Sequence, residues 1–275
     1  MKKHTTTSAI MHLLLMTCCV VVLVPFLYLF WVSTSTFRDV ITPGFNWTPT
    51  LENYRMLFRA GDRFPQMLLN SVVISLASTA VVLAIGSLGA YALARYRPSR
   101  ALPKVLLGWL IVVQTIPSIA LVGPYYTLGL RTGLYNTRTI LVLAYLVINL
   151  PLVVWMMLTY FQSLPRELEE AAVMDGMTPG QIFLFVILPV STPALAASGV
   201  LAFIFSWKEF LLALSLTSTP NAMTLPVAIA GFVQDYNIEY GRMSAAASIA
   251  VLPGLILAAF AQKYIVSGLT RGAVK

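Results

Sequence analysis

From 10 to 32 the chain carries no Asp, Glu, Lys or Arg. A run that long and apolar matches the roughly 20 residues a helix needs to cross the ~30 Å hydrocarbon core of a bilayer. Five further runs of similar character follow, at 67–94, 105–130, 140–161, 194–217 and 244–266. In lipid every backbone N–H and C=O must find its partner within the segment, so these runs are expected as helices. With 58% hydrophobic and only 10% charged residues, the chain lacks the polar surface of a soluble domain, in which about a quarter of residues are charged. The fold class read from this pattern is an all-α polytopic membrane protein: six transmembrane helices in a single transmembrane domain over 1–275.

An even number of spans places both termini on one side. Lys2, Lys3, Arg166, Lys263, Arg271 and Lys275 fall on that side, as does the cluster Arg95, Arg97, Arg100 and Lys104 at the ends of two runs. Basic residues at span ends mark the cytoplasmic face. Both termini, the segment 162–193 and a tail over 263–275 are therefore expected in the cytoplasm of a prokaryotic cell, with the spans in its plasma (inner) membrane. The net charge of +8 is scattered between apolar runs and forms no basic stripe with interleaved aromatics, so the expected contact is membrane lipid and no nucleic acid.

Lys2-Lys3-His4 ahead of the first run has the look of a signal peptide, but the run is too long for one and no small-x-small site precedes the polar residues 33–36. An uncleaved first span is expected. Cys18 and Cys19, adjacent and the only cysteines, offer no metal or redox spacing and are read as packing residues. The outer stretch 33–66 contains the turn signals Thr42-Pro43-Gly44 and Trp47-Thr48-Pro49, then apolar residues at helical spacing over 51–58. An interfacial helix is expected there. A second outer stretch, 218–242, mixes Pro220, Pro226 and Gly231 with Phe232, Tyr236 and Tyr240.

The segment 162–193 is polar and ready to fold as two short helices. Pro165 suits a first helical position, and Glu167, Glu169 and Glu170 follow at the positive end of the helix dipole. Gly176, after Asp175, is the residue type that closes a helix in the left-handed conformation, giving about eleven residues. Thr178-Pro179-Gly180-Gln181 then has the capping-box pattern that opens a second helix. On the first helix Leu168, Ala171, Ala172 and Asp175 are expected to share a face of small side chains that another backbone can approach.

Within the spans Gly86, Ala90 and Ala94 recur every four residues, a spacing that lets helices pack closely. Gln114 with Pro117, Asn149 with Pro151, and Pro253-Gly254 bring polar or freed backbone groups to membrane depth, where only protein or a water-filled cavity accommodates them. Lys208 and Glu209 lie in the fifth run. An ionisable side chain at a span centre costs about 2.5–3.5 kcal/mol on insertion scales. Two readings stand: one or both touch substrate or a gate, or Glu209 pairs with a neighbouring helix while Lys208 snorkels.

Motifs for covalent chemistry do not occur. The sequence contains no G-x-x-x-x-G-K-[ST] loop, no Gly-x-Ser-x-Gly elbow, and no histidines beyond His4 and His12. No catalytic residue and no metal site is expected.

Glu170-Ala171-Ala172, three residues, Gly176, nine residues, then Val186-Ile187-Leu188-Pro189 resembles the EAA loop of importer permeases of the ATP-binding cassette (ABC) class, with Val186 where Ile is usual. Glu52-Asn53-Tyr54, Asn70-Ser71-Val72, the segment from Ala90 to Arg95, Trp207-Lys208-Glu209-Phe210, Thr224-Leu225-Pro226-Val227 and the segment from Gly268 to Lys275 look like recurring blocks of permeases from maltose-type carbohydrate ABC importers. Lys208 departs from the usual Asn. The resemblance covers nearly the whole chain. It implies a type I importer permease working with a second homologous permease subunit, two copies of the ABC ATPase and an extracytoplasmic solute-binding protein. It implies that ATP and Mg²⁺ belong to the partner ATPase, this chain binding no cofactor, and that Glu170, Ala171, Ala172, Asp175, Gly176, Leu188 and Pro189 couple to that ATPase. For a sugar substrate, hydrogen-bonding and aromatic side chains are the candidates: Gln114, Asn149, Ser206, Trp207, Lys208 and Glu209. An importer of a non-sugar solute and a secondary transporter are the alternatives. The latter usually carries internal repeats, and the two halves show no clear self-similarity.

Overall fold

Apolar runs close into helices throughout the chain. The computed structural model describes residues 2–44, 46–95, 102–234 and 237–273. In chain order the elements are α1 (Lys2–Ser33), α2 (Phe37–Ile41), α3 (Glu52–Leu57), α4 (Phe64–Arg95), α5 (Leu102–Thr115), α6 (Ser118–Thr132), α7 (Arg138–Ser163) and α8 (Glu167–Met174). There follow α9 (Pro179–Gln181), a π-helical segment (Ile182–Ile187), α10 (Leu188–Val190), α11 (Thr192–Trp207), α12 (Leu211–Leu216), α13 (Leu225–Ala230), β1 (Val233–Gln234), β2 (Asn237–Ile238) and α14 (Tyr240–Ala273). Among the described residues the one regular element that is not helical is the antiparallel pair of β1 with β2, Val233 opposite Ile238.

Among the described residues four segments are each long and apolar enough to cross a membrane: Met11–Ser33, Phe64–Arg95, Arg138–Ser163 and Tyr240–Leu257. Two further pairs pass only together. Val105–Thr115 and Ser118–Thr132 meet at 94°, and Pro179–Val190 and Thr192–Trp207 at 78°, so counting each pair as one span gives six. The expected unbroken span at 105–130 is corrected accordingly. At the first break the ring of Pro117 pushes the preceding residue out of helical conformation, and Pro117 itself takes φ −59°, ψ 136° ahead of α6. The expected unbroken span at 194–217 is corrected by a different break: helix ends at Trp207, the chain turns at Lys208, and helix resumes as α12. Arg97, Arg100 and Tyr236 lie outside the described residues, as does Lys275. α14 runs unbroken to Ala273, through most of the expected tail.

The chain divides into two compact units, one of residues 1–65 with 228–252 and the other of 66–227 with 253–275. In the first, α1 is exposed along nearly its whole apolar length, Cys18 and Cys19 included. Its outer loop is knitted by side chains. Thr36 and Asp39 form a capping box, and the same Asp39 carboxylate accepts the Thr48 N–H and hydroxyl at 3.0 and 3.1 Å. These hydrogen bonds, led by that of the Thr36 hydroxyl, hold the Asp39 carboxyl below its ordinary value. The buried Asn53 amide, on the expected interfacial helix α3, donates to the Ser33 and Ser35 carbonyls at 3.0 and 2.9 Å. Arg242 pairs with Glu239 at 2.8 Å and with Asp62.

The second unit is organised around α4, α7 and α11. The Gly86 stripe serves packing, as expected: a Cβ at Gly86 would stand 2.8 Å from Val153 Cγ1, and Ala90 and Ala94 are buried. One apolar cluster joins Val82, Ala90, Tyr91, Val153, Met157, Phe161, Ala172, Phe183 and Ala202. A second gathers Ile74, Leu141, Ala144, Tyr145, Leu212, Ala213 and Leu216, and fixes α12. Asn136, at φ 59°, accepts the Ser218 and Thr219 N–H groups and ties the α6–α7 turn to the chain just past α12.

Candidate coupling helix and transport cavity

α8 begins at Glu167, two residues later than Pro165 predicted, and has eight residues where about eleven were expected. Arg166 is its N-cap and offers no side-chain acceptor. Its carbonyl takes the Glu169 and Glu170 N–H groups instead. The far end is closed as the sequence indicated. Gly176 has φ +79°, its N–H bonds the Val173 carbonyl at 2.9 Å, and the Met177 N–H reaches back to Ala172 at 3.1 Å. This double return is the Schellman arrangement. The capping box of Thr178 and Gln181 then opens α9.

The two faces of α8 differ from the expected small-residue face. Ala172 points inward and is buried against Phe183 and its neighbours, which corrects its assignment to an open surface. Glu170, Ala171, Val173, Asp175 and Gly176 are exposed, and Met174 is the most open apolar side chain at 87%. Farther on, Leu188 is half-buried in the same core and Pro189 is exposed.

Three residues that the sequence reading used otherwise hold this helix. Glu169 Oε2 accepts the Tyr91 hydroxyl at 3.0 Å, and its Oε1 accepts from Arg95 Nε. Arg95 Nη2 also donates to the Leu164 carbonyl at 3.2 Å, at the end of α7. In the sequence Arg95 serves as a topology marker and as the end of a family-like block, and neither points to Glu169. The signal available was the placement of Tyr91 and Arg95 one turn apart on one helix face.

The six pathway candidates separate. Gln114, Asn149, Lys208 and Glu209 line one cavity of about 410 Å³, with Ser118, Phe205 and Phe210 also in its wall. Ser206 is buried behind it. Its hydroxyl accepts from Ser78 at 3.1 Å and from the Asn149 amide at 3.0 Å. Trp207 stacks on Phe203 with ring centroids 5.7 Å apart and borders a different, almost wholly apolar groove of about 650 Å³. Ser206 and Trp207 thus do not line the polar cavity with the other four candidates.

Lys208 and Glu209 are not successive residues of a continuous helix, as the sequence had them. Lys208 caps the end of α11, its N–H bonded to Ile204. Glu209 caps the start of α12: its two carboxylate oxygens accept the Leu212 and Ala213 N–H groups at 2.9 and 3.1 Å. An acidic side chain here satisfies donors that would otherwise be orphaned by the break. With Glu209 engaged, the Lys208 ammonium rests over the Phe205 ring, 4.5 Å from its centroid.

Residues 83–271 match the family model of the binding-protein-dependent transport system inner membrane component. The chain belongs to this family. The permease is 41% identical over 260 residues to the trehalose transport system permease protein SugB of Mycobacterium tuberculosis, covering 92% of each chain. It is 37% identical over 261 residues to the trehalose/maltose transport system permease protein MalG of Thermococcus litoralis, covering 93% of this chain and 92% of that one. In fold it is similar to a chain of a bacterial ABC transporter that imports the acidic polysaccharide alginate, with a TM-score of 0.79, 21% identity, and 96% and 98% coverage. The all-helical membrane fold of a type I importer permease is thereby shared.

Proposed function

We propose that this permease forms, with a second homologous permease, the path by which a sugar or sugar derivative enters the cell, delivered by an extracytoplasmic solute-binding protein. Two copies of an ABC ATPase bind the ATP and Mg²⁺ that drive it, and the permease itself catalyses nothing. Both termini and the 162–193 loop face the cytoplasm. The single observation that carries this reading is α8. It is closed at its C-terminal end by the Gly176 return, pinned on one face by Glu169 and Ala172, and left open on the other at Glu170, Val173 and Met174. An open apolar side chain beside free carboxylates is a docking surface for a partner with a basic-rimmed cleft.

Closure of the ATPase dimer on ATP displaces α8, and the spans follow, switching access to the cavity between the two sides. The trehalose and maltose relatives support a saccharide as cargo. So does the cavity chemistry, in which the Gln114 amide and the Lys208 ammonium offer donors and the Asn149 carbonyl oxygen, whose NH2 is engaged by Tyr145 and Ser206, offers an acceptor beside the Phe205 and Phe210 rings. The test is uptake in proteoliposomes holding the whole transporter with its binding protein. Glu170→Ala is expected to lower ATP-driven uptake about tenfold or more while the permease still inserts and assembles. Parent-like uptake would remove the coupling assignment. Lys208→Asn is expected to change the KM for the sugar and leave assembly alone. Unchanged kinetics for every sugar, with no reaction of Lys208 toward water-soluble amine reagents, would place it outside the path.

A further inference from the structure

α8 is too short to hold its own position. Isolated helices below about 12–15 residues are marginal, and this one of eight hangs between the extended residue Leu164 and the Gly176 turn. What fixes it is a cluster from four elements. Tyr91 and Arg95 of α4 reach the two oxygens of the same Glu169 carboxylate. The second arm of Arg95 takes the carbonyl of Leu164, the residue whose N–H closes α7 on Phe161. The Tyr91 ring meets Phe161 of α7 edge-on at 5.7 Å and lies against Phe183 of the π-helical segment at 5.0 Å. Side-chain exposure of Arg95 and Glu169 is only 9% and 18%, so solvent weakens this pair far less than an open ion pair. Glu170, the neighbouring acid, points outward and takes no part. Two adjacent carboxylates thus do separate tasks, one facing the partner and one facing the spans.

We propose that Tyr91, Arg95 and Glu169 are positioning residues that clamp α8 into one rigid body with the cytoplasmic ends of α4 and α7, so that a push on α8 moves those spans without slack. The proposal rests on the coupling reading of α8 for its consequence, and on the contacts alone for its geometry. A guanidinium is suited to the role because its planar fork bonds a carboxylate and a carbonyl at once; a lysine ammonium lacks that geometry.

The test uses the complete transporter in proteoliposomes, with Cys18 and Cys19 replaced by serine. Spin labels at the exposed positions Glu167 and Leu88, as Glu167→Cys and Leu88→Cys, report the α8–α4 distance in the ATP-free and ATP-bound states. One narrow distance, equal in both states, is expected for the parent. Arg95→Ala should broaden it and lower sugar imported per ATP hydrolysed about tenfold, with ATP hydrolysis retained. Tyr91→Phe, which keeps the ring contacts, should lower that ratio less. The exchange Arg95→Glu with Glu169→Arg should recover part of it, a rescue that loss of packing alone would not give. Narrow distances and parent-like ratios in both Tyr91→Phe and Glu169→Gln overturn the clamp, even where Arg95→Ala fails to assemble. If Glu170→Ala transports normally the coupling reading falls, and the spin-label distances still decide the clamp.

Discussion

Glu169 and Glu209 both stand where a long helix has ended and a short one begins, yet their carboxylates work over different distances. Glu209 bonds the backbone three and four residues ahead of it. Glu169 is bonded by side chains 78 and 74 residues away in the chain. The first heals a break inside an apolar run by accepting the N–H groups of Leu212 and Ala213, both fully buried. The second positions a loop helix at the end of the bundle, whose backbone water can already satisfy. Local repair and remote positioning are thus two uses of one functional group, chosen by surroundings.

The comparison breaks most directly at Glu209. Glu209→Ala leaves the N–H groups of the buried Leu212 and Ala213 without an acceptor, at about 1–3 kcal/mol for each unsatisfied group. A large fall in the melting temperature of the detergent-solubilised permease is expected, with Glu209→Gln, which keeps one acceptor, falling about half as far. An Ala variant that melts like the parent would show that the break needs no cap. Next is whether close backbone approach helps the clamp hold α4 to α7. Gly86→Leu must push into Val153, 2.8 Å from the new Cβ, an overpacking cost of about 1–3 kcal/mol. Gly89→Leu, with nothing within 4 Å, should melt as the parent does.

Gly176→Ala sharpens the α8 side. A side chain at φ +79° costs about 1–2 kcal/mol, so a modest destabilisation is expected, larger in uptake than in melting temperature because the turn sets the pose of α8. The smallest effect belongs to Asp39, a local cap in a loop outside the spans. Its folded pKa lies below the ordinary 3.8, so its contribution is complete above about pH 4 and is lost as pH falls through the lowered folded value. Fluorescence of Trp47, whose Nε1 donates to Thr34 at 3.3 Å, should show that loss on acidification. Asp39→Asn should show it at neutral pH, with no added step below pH 4.

The local devices were legible in the sequence. The Thr178–Gln181 box and the Gly176 closure involve residues at most five apart, and both stand where their spacing put them. The six apolar runs were legible too, since length and hydropathy are additive along the chain. The breaks at Pro117 and Lys208 were not. A window of some twenty residues averages over a proline or two adjacent charges, and Lys208-Glu209 reads as a costly insertion instead of a helix end and a helix cap. Trp207 and Lys208 share the residue chemistry of a sugar site, whereas α11 directs the indole to one side and ends before the ammonium. Arg95 and Glu169 carried no shared spacing at all. Only the fold brings them together.

The π-helical segment Ile182–Ile187 bears on how this chain tolerates change in length. Hydrogen bonds there close over five residues instead of four, so the segment holds surplus backbone. Losing one residue from it lets the ladder tighten to the α form while the side chains of Thr192–Trp207 keep the faces they now present. The same loss inside α11 would rotate each later side chain by about 100°, carrying Lys208 and Glu209 away from the cavity. Variants shortened by one residue should therefore survive selection within 182–187 and vanish from the helix that follows.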